Sequence, residues 1–182
     1  KCGSSLADIM TGKKDPLLLL FPEGDLGQLT ELYERSPAFI TMNSLVKDIG
    51  AQITDKLSGD KKLKILEIGA GTGATTSFIL KHLKNSNTEY VFTDVSQLFL
   101  NKAKDKFKDY KNIVFRVLDI ENDPSIQGYA LNDFDIIIAS NVIHATKDLK
   151  QSLANVKKLL KTEGMLILTE ATSKQKWVDL VF

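Results

Sequence analysis

Several residues in this sequence are spaced so that they could do chemistry. Glu67 stands just before Gly69, Gly71 and Gly73 in "ILEIGAGTGATTSFIL"; Asp94 and Asp119 each close an apolar run; His144 sits in "NVIHAT" and Glu170 in "LTEAT". Glycines at a strand-to-helix turn bring the main chain against a ligand, and the helix behind them points free N–H groups at it. The bare spacing, glycine-x-glycine-x-x-alanine ending at Ala74, also satisfies a dinucleotide turn. Glu67 argues against a pyrophosphate there, because a carboxylate repels it by on the order of 1 kcal/mol or more where water is partly excluded. A ligand carrying positive charge suits the position instead. Asp94 is placed to accept bonds from both hydroxyls of a ribose. Capping the following helix falls more naturally to Ser96.

Such residues need a scaffold that brings strand ends together. From Leu63 onward, strand-like and helix-like blocks alternate: "LKILEIG", a helix to about Leu83, "EYVFTDV", a helix to about Phe107, "NIVFRVLDI", "DFDIIIAS", a helix near Leu149 to Leu160, and "GMLILTEA". That rhythm predicts a parallel sheet with helices on both faces. In this topology the fourth and fifth strands are neighbours about 4.8 Å apart, so His144 and Glu170 can meet above one sheet edge. A carboxylate at one ring nitrogen fixes the tautomer and leaves the other nitrogen to act as a base. A turn-capping histidine and a solvated acid are the bland alternative.

Ahead of the sheet, Leu26, Leu29, Leu32 and Tyr33 recur at helical spacing. So do Phe39, Ile40, Leu45, Val46, Ile49 and Ile53, until the break at Ser58 to Asp60. The expected organisation is a connecting segment over 1–25 that lays "PLLLLFP" on a neighbouring surface, helices over 26–60 covering the site, and the core over 61–182. The chain of 182 residues is 43% hydrophobic and 26% charged, which predicts one soluble domain. A net charge of +1 supplies no field for nucleic acid, and the apolar run Leu17 to Phe21 is too short to span a membrane. One cysteine, Cys2, allows no intrachain disulfide and fits a cytoplasmic setting. Two separated histidines offer no convergent metal set. His82 reads as a surface residue, and "NKAKDKFKDYK" as solvated Lys–Asp pairs on a helix, with docking of an acidic partner as the lesser reading.

The string "EIGAGTG" closely resembles the first motif of class I methyltransferases, and "DIENDPSIQGY" followed by "NVIHAT" resembles the C-methyltransferase domains of polyketide synthases. So do "FTDVSQLFLNKA", "LTEAT" and "LFPEGDLGQLTELYERSP", so that the likeness runs from about Leu18 to Phe182. It implies a Rossmann-like three-layer αβα sandwich preceded by N-terminal helices. It also implies that the family's final antiparallel strand pair is missing from a segment cut from a longer polypeptide. The implied cofactor is S-adenosylmethionine, leaving as S-adenosylhomocysteine, with Glu67, Gly69, Ala70, Gly71, Gly73, Asp94, Val95 and Asn141 among its contacts. Asp119 would meet the adenine amino group and Ile120 would pack on the ring. His144 would be the base, Glu170 its support, and Tyr33 a residue lying over the active site.

The reaction so implied moves a methyl group to the α-carbon of a β-ketoacyl chain, held through phosphopantetheine on an acyl carrier protein beside other synthase domains. Three readings stay open beside it. An oxygen or nitrogen acceptor on a polyketide or peptide assembly line keeps the cofactor. A silent scaffold keeps only binding, and a nicotinamide oxidoreductase would use the bare glycine spacing with Asp94.

Overall fold

The structure, a computed structural model, describes residues 2–15, 27–57, 62–83 and 87–173. "PLLLLFP", Leu26 and the break at Ser58 to Asp60 lie outside the described residues. Helix α1 spans Cys2–Met10, α2 Gly27–Arg35 and α3 Pro37–Leu57. Then β1 (Leu63–Ile68), α4 (Ala74–Leu80), β2 (Thr88–Asp94), α5 (Gln97–Lys106) and β3 (Ile113–Val117) alternate. They are followed by β4 (Phe134–Ser140), α6 (Leu149–Leu159) and β5 (Leu160–Thr169). Short 3-10 turns at Pro124–Gln127 and Ile143–Ala145 flank β4. The helix α1 falls where a connecting segment was expected.

The strands form one five-stranded sheet in the order β3-β2-β1-β4-β5, all pairs parallel. Strand order reverses between β1 and β4, which opens a crevice beyond their carboxyl ends. Successive side chains leave opposite faces of the sheet, and both faces are covered. Ile65, Tyr90, Phe92, Ile136 and Ile138 pack with Val46 of α3, Ile79 and Leu80 of α4, and Leu100 and Ala103 of α5. On the other face Leu66, Ile68, Val91, Ile137 and Ala139 pack with Val156 and Leu159 of α6. Burying each large side chain contributes about 1.5–3 kcal/mol, which is why these strands read as near-continuous apolar runs.

The apolar period of α3 is only partly a core face. Val46 is 1% exposed, but Ile40, Leu45 and Ile49 are 40%, 51% and 43% exposed. The buried positions include Asn43, at 5%, a polar residue the hydrophobic pattern passes over. Elsewhere β3 ends at Val117, so Asp119 lies two residues past the strand rather than closing it. Among the described residues no helix is long and apolar enough to cross a membrane.

Candidate active site

A cleft of about 350 Å³ opens at the switch point, floored by the glycine turn and roofed by Tyr33, Phe39 and Met42 of α2 and α3. Tyr33 and Phe39 meet edge to face with ring centroids 4.7 Å apart. The roof is pinned by Asn43, whose Nδ2 donates to the Tyr33 carbonyl at 3.1 Å while its Oδ1 accepts from Thr75 Oγ1 of α4 at 2.8 Å. A buried amide bonded on both sides is worth about 1 kcal/mol per bond and costs more if one partner is lost.

Gly69 and Gly73 are required for different reasons. Gly69 has φ +59°, and a Cβ there would lie 2.2 Å from Val142 Cγ2, so this turn and the loop after β4 interlock only through a residue without a side chain. Gly73 has φ +72°, and its Cβ would lie 2.7 Å from Phe107 Cε2. It therefore serves helix-to-sheet packing, and the cleft lining includes Gly69, Ala70 and Gly71 but not Gly73. At Gly71 a Cβ would meet only the Gly69 carbonyl, at 3.9 Å, so its open side belongs to the cleft.

Glu67 lines the cleft although it is 2% exposed. Its Oε2 accepts from Tyr90 OH at 2.7 Å and from Thr76 Oγ1. Burial raises the Glu67 carboxyl to about 7, against the pull of those two hydroxyls and of the Lys106 charge. Asp94 accepts from the Gly71 N–H at 3.0 Å with Oδ2 and from the Ser96 N–H at 2.8 Å with Oδ1. Burial raises this carboxyl as well. Ser96 is the N-cap of α5, yet its side chain makes no capping bond. The strand-end acid, rather than the serine, ties strand, turn and helix together. Each carboxylate oxygen has further lone pairs, so a ribose could still be held.

Val95 and Ile120 also line the cleft, Val95 with 65% exposure. So does Asp119, whose oxygens accept from the Glu121 N–H at 2.9 Å and from Asn122 Nδ2 at 2.6 Å, bonds that shape its own turn. Asn141 lines the cleft with φ +51°, a conformation asparagine tolerates better than most residues. Its N–H donates to the Thr169 carbonyl at 2.8 Å, while Thr169 Oγ1 donates to Ser140 Oγ at 2.8 Å, closing β4 onto β5.

His144 and Glu170 meet as the sheet order requires. His144 Nδ1 bonds Glu170 Oε2, and Glu170 Oε1 accepts main-chain N–H bonds from Val142 at 3.1 Å, Ile143 at 2.7 Å and His144 at 3.4 Å. One carboxylate thus caps the 3-10 turn that carries the histidine and orients the ring. In the neutral tautomer that places its Nδ1 proton toward the carboxylate, Nε2 carries the lone pair. The pair lies outside the cleft lining, at its rim, where His144 keeps 58% of its side chain exposed.

Two further features escaped the pattern reading. Lys106 bonds Glu34 of α2 and donates to the Thr72 carbonyl at 2.9 Å, joining the N-terminal helices to the glycine turn. Among the described residues no ion pair forms within "NKAKDKFKDYK", so that run does not work as internal charge pairs. His82 is exposed, with Nδ1 3.1 Å from the Phe78 carbonyl.

The family model for a methyltransferase domain matches residues 66–166. The chain belongs to the methyltransferase family. A non-reducing polyketide synthase, dpfgA, of Gibberella zeae is 42% identical to the chain, the match covering 99% of the chain and 9% of that protein. Among solved structures, CurJ carbon methyltransferase is 47% identical with a TM-score of 0.95; the match covers 99% of this chain and 48% of that one. A trans-methyltransferase, CalH, crystallised in complex with SAH, is 35% identical with a TM-score of 0.80, covering 98% of this chain and 49% of that one. The chain therefore spans about half of the solved domains it matches and under a tenth of that synthase.

Proposed function

We propose that the chain methylates the α-carbon of a β-ketoacyl thioester carried on an acyl carrier protein, as part of a polyketide synthase. The observation that carries the reading is the His144–Glu170 pair at the rim of a cleft whose other end is Glu67 and the glycine turn. The likeness to a carbon methyltransferase supports it. The cleft suits S-adenosylmethionine: it pairs a buried carboxyl with a turn whose open side at Gly71 would fill with any side chain. When bound, that cofactor supplies an electrophilic methyl group on a sulfonium. Glu67 and the Gly69–Gly71 turn would hold its methionine end, Asp94 its ribose, and Asp119 and Ile120 its base.

The chain's own residues do the rest. A carbon between two carbonyls is acidic enough for imidazole, so His144 Nε2 takes its proton and the C–H electron pair passes into an enolate. The cofactor, once held, would supply the methyl group for that carbon and would leave as S-adenosylhomocysteine. Glu170 keeps the Nδ1 proton in place, and its three main-chain bonds stop the ring from swinging away. Tyr33 and Phe39 roof the part of the cleft that would hold the cofactor.

Incubation of the chain with a β-ketoacyl carrier protein and labelled S-adenosylmethionine tests the reading. Mass spectrometry is expected to show one added methyl, and fragmentation to place it on the α-carbon. A methyl on the enol oxygen would give the acceptor as oxygen and overturn the carbon assignment.

A further inference from the structure

Among the described residues, Glu67 is set in the core as a carboxyl that no cationic side chain touches. Its side chain meets Thr76 from α4 and Tyr90 from β2, both 0% exposed, and both hydroxyls bond the same oxygen. On the neighbouring strands its register partners are Phe92 and Ile138, which bring no charge. Two charged groups act on it from farther off: Lys106 of α5 favours the ionised form and Asp94 at the end of β2 opposes it. Lys106 spends its own bonds on Glu34 and the Thr72 carbonyl. The cleft is therefore the direction from which a compensating cation can reach this carboxyl.

We infer that Glu67 holds a proton while the cleft is empty and releases it to solvent when a cationic ligand enters, so that cofactor binding and proton release are one event. The inference rests on the cofactor reading above and adds a thermodynamic consequence to it. An unpaired carboxylate in such a site loses its hydration without replacement, whereas a cation beside it restores the balance. The raised carboxyl, about 7 against an ordinary 4.5, puts the exchange within the pH range where the protein can be studied. The same coupling makes the ligand bind less tightly in acid, because the proton and the cation compete for one group.

The test is calorimetric titration with S-adenosylhomocysteine, whose ammonium is the cation, in pairs of buffers with different ionisation enthalpies. With the carboxyl raised by burial, the wild-type chain should release more protons at pH 6 than at pH 8, relative to Glu67→Gln. Over that interval wild-type affinity should rise about tenfold more than that of the glutamine variant. Tyr90→Phe removes a bond that favours the ionised form and keeps the ring, so its proton release should extend to higher pH. Equal proton counts in wild type and Glu67→Gln overturn the inference and leave the cofactor reading standing, as does a Tyr90→Phe profile that does not move. Absence of binding at every pH removes the cofactor reading and the inference with it.

Discussion

At the β1 end of the cleft Glu67 is 2% exposed and accepts from two neutral hydroxyls, whereas at the β4–β5 end His144 keeps 58% of its side chain exposed. Its partner Glu170, 17% exposed, accepts from three main-chain N–H groups as well as from the ring. The first site is made by withholding solvation, so its carboxyl is costly to ionise. The second is made by supplying hydrogen bonds, so its carboxylate is satisfied in advance and the histidine stays accessible. Under the proposed function this division is useful, since a group that answers a bound cation gains from burial and a base that meets a carrier-bound acceptor gains from openness.

The sharpest way to break this comparison is at His144. His144→Ala should lower methyl transfer by roughly 10²-fold or more, since a general base is removed, while affinity for S-adenosylhomocysteine stays within a few-fold. Glu170→Gln should lose less, because an amide oxygen can still accept the Val142 and Ile143 N–H bonds, and the double variant should be little worse than His144→Ala. Transfer by His144→Ala at the wild-type rate would make the rim pair a structural cap.

A smaller effect, on stability, separates the two ends further. Between an ordinary 4.5 and about 7 the folded chain holds a proton on Glu67 that the unfolded chain has released. Stability from this group therefore falls as pH rises through that window, and above it the buried charge costs about 3 kcal/mol. Glu67→Gln removes the slope, so in the absence of ligand its denaturant midpoint should gain on wild type from pH 5 to pH 8. Parallel curves would mean that the carboxyl is ionised in the empty protein and that burial is not what distinguishes the two ends.

The smallest effect concerns Gly73. A methyl there meets Phe107 and a left-handed backbone, so Gly73→Ala should cost about 1–3 kcal/mol in unfolding free energy. Affinity for S-adenosylhomocysteine, measured below the melting transition, should stay within a few-fold. A large loss of affinity in a folded variant would return Gly73 to the ligand contacts.

The parallel sheet, the adjacency of the fourth and fifth strands and the meeting of His144 with Glu170 were legible because they follow from local alternation and a chirality rule for parallel connections. The bracing of the roof was not. Asn43 sits inside an apolar helical period and shows itself only when α3 packs on α4, where its amide finds Thr75 and the Tyr33 carbonyl. Likewise Lys106 looks like one more surface lysine in "NKAKDKFKDYK" until α2 brings Glu34 beside it.

The sequence alone determined the parallel sheet, the glycine turn, the acid at its entrance and the histidine and acid on adjacent strand ends, because side-chain period and turn chemistry are local properties. Tertiary structure alone decided which glycine opens on the cleft and which faces Phe107, and that Asp94 rather than Ser96 bonds the turn. It also decided that Glu67 lies among neutral partners while Glu170 lies among N–H donors. Identity fixes that a residue can carry charge; the solvent and dipoles that folding leaves around it fix whether it does.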